Sequence, residues 1–180
     1  MGYEDIEDDV QAEEVEEDQY LVFNVESQEF GIQAIFVQEI SPILETTSVP
    51  SAPPYIEGIV NLRGQLASVI NFRRKFGFGP REYDEDTRII VVEQKNFPIG
   101  ILVDAVEEVI RIPDEAVQNL PESTTTAVSE EYITGVGMLD KRLIILLDVD
   151  KVLTKTEAAE MEAARNQVDK SDETVEEESN

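Results

Sequence analysis

Cysteine, histidine and tryptophan do not occur in this 180-residue chain, and each absence narrows what the protein can do. A chain without cysteine has no disulfide framework, which favours a reducing, cytoplasmic location. A chain without histidine has no Ser-His-Asp or Cys-His catalytic arrangement, no histidine-ligated metal site and no histidine to phosphorylate. Any chemistry would rest on carboxylate, lysine, tyrosine or hydroxyl groups. We therefore expect a protein that is not an enzyme and holds no cofactor or metal.

Basic residues and long apolar runs are also scarce. The chain carries 14 lysine and arginine residues against 40 aspartate and glutamate residues, a formal net charge of −26. This balance argues against nucleic acid, whose phosphates need a basic patch, and against anionic membrane surfaces. The longest apolar runs, such as residues 143–147, are far too short to cross a bilayer. No positively charged segment followed by an apolar stretch opens the sequence, so we do not expect secretion.

The negative charge is concentrated at the two ends of the chain. Residues 1–19 contain ten acidic and no basic side chains, and residues 156–180 contain nine acidic and two basic ones. This composition predicts a disordered N-terminal arm over residues 1–18, a folded unit over residues 19–155, and an acidic, partly helical tail over residues 156–180. Two explanations of the acidity stay open: a salt-rich cytoplasm, or two acidic arms attached to a moderately acidic domain.

A near-repeat lies inside the folded unit. The pattern Tyr55-Ile56-x-Gly58 recurs 77 positions later as Tyr132-Ile133-x-Gly135, and Leu21-Val22-Phe23 matches Ile90-Val91-Val92 at an offset of 69. Further matches at these two offsets are Gly31 with Gly100, Val37 with Val106, Glu39 with Glu108, Ile40 with Val109, Leu62 with Leu139, Leu66 with Leu143, and Asn71 with Asp148. The change of offset means that the second copy has eight additional residues in its middle. Two small copies of one β-rich unit predict paired modules with a seam between them, an architecture suited to binding other proteins.

The local patterns predict a mainly β protein. Short apolar and β-branched segments are separated by brief polar connections, without the alternating longer helices of a doubly wound parallel sheet, which favours small closed barrels. Asn71 is placed to cap a short helix over residues 72–76, and Gly77 to end it. A final helix is expected from about Val149.

Acidic motifs leave a catalytic alternative open. The strand end before Asp148 resembles the phosphoacceptor site of a receiver domain, but the required strand–helix alternation is missing, and Asp148 more simply caps a helix. Asp148-x-Asp150 and the acidic residues 84–86 lack the glycine-bounded loop of a calcium site. A carboxylate-dependent hydrolase on a small barrel remains an alternative, and it would require a deep pocket with two facing acids.

Arg63 is the sharpest local feature, because it stands at a predicted hairpin tip. Glu39, in the same module, is a plausible ion-pair partner, although an exposed pair contributes only about 0–1 kcal/mol. Arginine is enriched at interface hot spots, so Arg63 could instead serve as a contact to a partner. The residues alone leave both interpretations open.

A longer pattern around Arg63 resembles the signature of the chemotaxis coupling protein family, CheW. The residues that carry it are Val49-Pro50, Pro53, Tyr55-Ile56, Gly58-Ile59-Val60-Asn61-Leu62-Arg63-Gly64, Val69-Ile70-Asn71-Phe72-Arg73 and Phe76-Gly77. Supporting matches extend over about residues 19–155. Ser68 stands where a proline is common in the family and Asn71 where an aspartate is usual, which affects the rigidity of a turn more than a contact.

This resemblance implies two intertwined five-stranded SH3-like barrels with short helices and a C-terminal helix. It also implies a non-enzymatic adaptor that links the cytoplasmic tips of methyl-accepting chemoreceptors to the regulatory domain of the histidine kinase CheA. Such an adaptor is located in the cytoplasm, at arrays of receptors and kinase. A scaffold of another chemosensory pathway, for motility or pili, is the alternative within the family. The implied binding residues, around a groove between the barrels, are Val37, Gln38, Glu39, Gly58, Asn61, Leu62, Arg63, Gly64, Val106 and Val109. The kinase is expected at the barrel ends, without assignment to residues.

Overall fold

A computed structural model describes residues 18–94, 97–122 and 128–152 of the chain. Residues 1–17 of the expected N-terminal arm and the whole expected C-terminal tail lie outside these ranges. The helix expected from about Val149 is described only over residues 149–152, where Val149–Lys151 form a 3-10 turn.

The described residues form eleven strands and one short α-helix. The elements are β1 Gln19–Val25, β2 Gln28–Gln33, β3 Val37–Ser41, β4 Ile56–Leu62, β5 Gln65–Asn71, α1 Phe72–Phe76, β6 Arg88–Gln94, β7 Phe97–Val103, β8 Ala105–Arg111, β9 Val117–Gln118, β10 Ile133–Leu139 and β11 Arg142–Leu147. Single 3-10 turns lie at Ala34–Phe36, Asp114–Ala116, Glu130–Tyr132 and Val149–Lys151. The mainly β class predicted from the sequence is confirmed.

The two copies of the repeat exchange strands. One sheet has the order β8-β1-β2-β11-β10-β9, and the other has the order β3-β6-β7-β5-β4. The offsets of 69 and 77 place β1 and β2 of the first copy on β6 and β7 of the second, β3 on β8, and β4 and β5 on β10 and β11. Each sheet therefore joins the opening strands of one copy to the closing strands of the other, and the two orders are related by pseudo-two-fold symmetry. The first module is the unit built on the sheet β3-β6-β7-β5-β4, and the second module is the unit built on the other sheet. The intertwined arrangement is confirmed, with the two-residue β9, in the longer middle segment of the second copy, as an additional strand of one sheet.

A shared hydrophobic core lies between the sheets. It takes residues from both copies, and Phe23, Phe30 and Phe72 are packed ring against ring at its centre, with centroids 5.0–5.7 Å apart. Aromatic pairs at such separations are stabilised beyond their buried area. Two smaller clusters fill the modules themselves, one around Val69 and Val91 and the other around Val22 and Leu146. Because the central core belongs to both modules, it holds them in one relative orientation.

Turn and cap residues act as the sequence predicts. The Asn71 side chain accepts a hydrogen bond from the Arg74 N–H at 3.1 Å at the start of α1, and Gly77, with φ of 78°, ends the helix. Gly58, with φ of 154°, allows a close approach of two segments, because a Cβ atom there would lie 2.7 Å from the Thr47 carbonyl oxygen. That approach forms the bridge between Thr47 and Ile59.

Candidate functional site

The predicted binding residues lie mainly on two edge strands. In the described structure, β3 pairs only with β6 and β8 pairs only with β1, so each strand ends its sheet. Val37, Gln38 and Glu39 are on β3, and Val106 and Val109 are on β8. Since β3 and β8 are equivalent in the repeat, the two modules present matching edges.

The apolar residues of these edges are of two kinds. Val37 and Val106, equivalent in the repeat, are half-buried and pack against the shared core. Ile40 and Val109, also equivalent, are 45% and 51% exposed. Ile40 was not among the predicted binding residues, although its match with Val109 at an offset of 69 was visible in the sequence and could have identified it.

The predicted ion pair between Arg63 and Glu39 is present. Arg63 Nη2 lies 3.7 Å from Glu39 Oε2, with the arginine side chain 88% exposed and the glutamate side chain 30% exposed. The pair joins the tip of the β4–β5 hairpin to strand β3. At this exposure it stabilises the fold by at most about 1 kcal/mol. It instead sets the position of a charged side chain beside the edge strand.

The other predicted residues near Arg63 shape the hairpin itself. Arg63 and Gly64 have φ of 54° and 90°, and the Gly64 N–H donates a hydrogen bond to Asn61 Oδ1 at 2.7 Å. Leu62 is half-buried and packs against the module cluster around Val69. Asn61, Leu62 and Gly64 thus hold the tip on which Arg63 is presented, and Gly58 lies at the far end of β4.

The second module anchors its edge strand differently. Glu108, the equivalent of Glu39, accepts a hydrogen bond from Arg142 Nη1 at 2.8 Å, while Arg142 Nη2 donates to Glu29 at 2.7 Å. Bonds to these two carboxylates raise the pKa of the Arg142 guanidinium. At the second hairpin tip Asp140 has φ of 51° in place of Arg63. The two edges are therefore alike in shape and different in charge.

A buried ionic network that sequence reasoning missed joins the modules. Arg73 Nε and Nη2 donate to the two oxygens of Asp104 at 2.7 and 2.6 Å, and both side chains are over 90% buried. Arg73 Nη1 also bonds Glu26 at 2.7 Å, and Arg81 donates to Asp104 at 2.9 Å. The Glu26 N–H donates to Asp104 as well, at 2.9 Å. The network links α1, the β1–β2 turn and the bend between β7 and β8.

The electrostatics of this network follow from its contacts. Burial alone would raise the pKa of Asp104, but the Arg73 bonds, the Glu26 N–H and Arg81 together lower that pKa below the ordinary carboxyl value. The hydrogen bonds that Arg73 donates to Asp104 and Glu26 raise the pKa of its guanidinium group. Arg73 and Asp104 are 31 positions apart, so their pairing leaves no periodic signal. The only sequence signal was that both residues belong to the segments that carry the family resemblance.

A second polar cluster covers the end of the first module. The Tyr83 hydroxyl donates to Glu57, and Asn71 Nδ2 donates to Glu57 at 3.2 Å and lies 3.5 Å from the Tyr83 oxygen. Burial and the Glu57 carboxylate raise the pKa of Tyr83 to about 12. Tyr83 belongs to the connection between α1 and β6, and no sequence motif indicated this contact.

Two findings bear on what else the described residues can do. They contain no group of three or more acidic side chains arranged to hold a metal ion. Within the same ranges, no helix has the length and apolarity needed to cross a membrane.

Comparisons with known proteins agree with the residues and the fold. The family description "CheW-like domain" matches residues 19–157. The chain is 36% identical over 141 residues to the chemotaxis protein CheW of Klebsiella aerogenes, covering 78% of this chain and 84% of that protein. It is 32% identical over 137 residues to the chemotaxis protein CheW of Bacillus subtilis, covering 75% and 86%. A crystal structure of the scaffolding protein TtCheW from Thermoanaerobacter tengcongensis superposes with a TM-score of 0.70 at 31% identity, covering 78% of this chain and 90% of that one. The chain therefore belongs to the CheW family of chemotaxis coupling proteins.

Proposed function

We propose that this chain is a non-enzymatic adaptor that couples the cytoplasmic tips of chemoreceptors to the histidine kinase CheA. The match to the CheW-like domain over residues 19–157 is the observation that carries this conclusion. The relatives described above are named as chemotaxis proteins, which favours chemotaxis over a related motility or pilus pathway. By this function the protein works in the cytoplasm, at receptor–kinase arrays.

The edge strands β3 and β8 are the proposed receptor-binding surface. Ile40 and Val109 offer exposed apolar area, and Val37 and Val106 form the half-buried floor against the shared core. Arg63, positioned by Glu39, adds a charged anchor. A moderate apolar surface with one or two polar anchors suits an interface that assembles and disassembles.

Reconstitution tests the adaptor function directly. Receptor-containing membranes and purified CheA are combined with and without this chain, and autophosphorylation of the kinase is measured before and after a receptor ligand is added. We expect the kinase to respond to the ligand only when the chain is present. A kinase that responds equally without the chain, or never responds with it, would contradict the function.

A further inference from the structure

Each edge strand of the proposed receptor surface has a β-bulge at the same place. In β3, Gln38 is the extra residue, because its neighbours Val37 and Glu39 pair with consecutive residues of β6. In β8, the extra residue is Glu107, which is equivalent to Gln38 at the offset of 69. A bulge leaves its extra residue unpaired and interrupts the ladder of backbone hydrogen bonds. The ladder therefore holds each edge less firmly at this point, close to its exposed apolar residue.

The two bulged residues make matching polar contacts. Gln38 Nε2 donates a hydrogen bond to Glu93 at 3.2 Å, and Asn24 Nδ2 donates one to Glu107. Asn24 and Glu93 are themselves equivalent at the offset of 69. The pseudo-two-fold symmetry thus extends to the contact at each bulge, with donor and acceptor exchanged.

The residue that follows each bulge is held differently in the two modules. In the first module, Arg63 lies 3.7 Å from Glu39 and is almost fully exposed. In the second module, Arg142 donates to both oxygens of Glu29, from Nε at 3.3 Å and from Nη2 at 2.7 Å, and donates from Nη1 to Glu108 at 2.8 Å. Because a forked arginine–carboxylate pair has a defined geometry, Glu108 is held far more firmly than Glu39.

The position of Glu29 explains why this contact can fix an edge strand. Glu29 lies on β2, which is paired on one side with β1 and on the other with β11. The forked bonds to Glu29 orient the guanidinium group, so that its remaining Nη1 group points at Glu108. Val109 directly follows Glu108 and is 51% exposed. The contact therefore acts on the backbone next to the apolar side chain that a partner would meet.

We propose that Arg142 is a positioning residue for receptor binding. It fixes the bulged strand β8 through Glu108, so that Val109 is presented to the receptor in one place, and it does not contact the receptor itself. This inference rests on the proposed function, because it concerns the same binding surface.

Calorimetric titration of a receptor cytoplasmic fragment into the full chain tests the proposal. We expect Arg142→Ala and Glu108→Ala each to weaken binding about fivefold, and the double variant to bind no more weakly than either single variant, because the two side chains act as one unit. Glu108→Gln keeps an oxygen that can accept from Arg142, so it should bind within about twofold of the wild type. If Glu108 acted through its charge on the receptor, the glutamine variant would bind as weakly as the alanine variant.

Arg74→Ala is the matched control. It also removes one positive charge from an ion pair, because Arg74 lies 3.4 Å from Glu57, but it lies on α1, outside both edge strands. Its affinity for the fragment should stay close to that of the wild type. NMR of the free chain gives a readout that needs no receptor: Arg142→Ala should shift the methyl signals of Val109 and leave those of Val37 in place.

The outcomes separate this inference from the proposed function. A wild type that does not bind the fragment would contradict both. A wild type that binds while Arg142→Ala binds equally well would contradict the inference alone. The same holds for losses that add in the double variant, for Glu108→Gln binding as weakly as Glu108→Ala, and for Val109 signals that do not move in Arg142→Ala.

Discussion

At the scale of single residues, Arg63 is a side chain that we expect to matter for binding and not for stability. Its side chain is 88% exposed and makes one ion pair, at 3.7 Å, with Glu39. The free energy of unfolding therefore depends little on it, and its position beside β3, which carries the exposed Ile40, is what a partner can use.

Arg63→Glu should weaken receptor binding without unfolding the protein. The new carboxylate would face Glu39, and we expect the affinity for a receptor cytoplasmic fragment to fall at least tenfold, while the free energy of unfolding changes by less than about 1 kcal/mol. Titration calorimetry and urea denaturation measure the two effects.

Lys141→Glu is the control for that variant, because it makes the same charge change at the equivalent hairpin turn of the second module. Receptor affinity that is unchanged in Arg63→Glu, or reduced equally in both variants, would argue against the assignment of β3 and Arg63 as the receptor surface.

Asp104 should matter for stability rather than for binding. Removing one partner of a buried ion pair leaves the other charge uncompensated, so Asp104→Asn should lower the free energy of unfolding by about 3 kcal/mol. Asp84→Asn is the control, since Asp84 also pairs with Arg81 at 2.9 Å but is 41% exposed. Its effect should be much smaller than that of Asp104→Asn, because an exposed ion pair contributes little to stability.

The contribution of Asp104 should also depend on pH. Its pKa is lower in the folded state than in the unfolded state, so the stabilisation is complete above the unfolded value of about 3.9 and is lost as the pH falls toward the folded value. The stability difference between the wild type and Asp104→Asn should be constant from about pH 7 to 5 and shrink below about pH 4. A difference that grows in acid would contradict this account of the network.

At the scale of elements, the sequence predicted the features that depend on neighbouring residues and missed those that depend on contacts between distant segments. The cap at Asn71, the end of α1 at Gly77 and the hairpin tip at Arg63 all depend on neighbours within a few positions, and all were correctly predicted. The network between Arg73 and Asp104 and the cover provided by Tyr83 depend on segments that are distant in sequence. No periodicity encodes such meetings, so only the structure revealed them.

Gly58 offers a test of how tightly two elements approach. A Cβ atom there would lie 2.7 Å from a backbone oxygen of Thr47, which cannot move as a flexible side chain can. Gly58→Ala should therefore cost about 1–3 kcal/mol of unfolding free energy in urea denaturation.

Gly79→Ala is the matched control for Gly58→Ala, because no described heavy atom lies within 4 Å of the added carbon. Its effect should stay within about 0.5 kcal/mol. Equal costs at the two positions would show that the approach to Thr47 does not constrain β4.

At the scale of the whole molecule, the repeat in the sequence predicted two modules, and the structure shows that the modules are not the two halves of the chain. The matches at offsets of 69 and 77 pair each strand with its equivalent. They do not say which copy a strand joins, because the same apolar pattern suits pairing within a copy or between copies. The family resemblance, not the periodicity, implied the exchange.

Fragments test the exchange. Residues 1–79 and 80–180, produced separately, should each lack the dispersed NMR spectrum of a folded β protein, because each sheet needs strands from both. Mixed in equal amounts, they should recover that spectrum. A fragment that folds alone would show that one copy is sufficient for a module.

The exchanged strands also have a consequence for biosynthesis. β1 and β2 emerge first from the ribosome, but their sheet is completed by β8, β10 and β11, the last of which ends at Leu147. Pairing between segments this distant is slow, because the intervening chain must be ordered first. The nascent chain therefore exposes the apolar faces of β1 and β2 until β11 has been synthesised, and the cell must protect these faces from aggregation during that time.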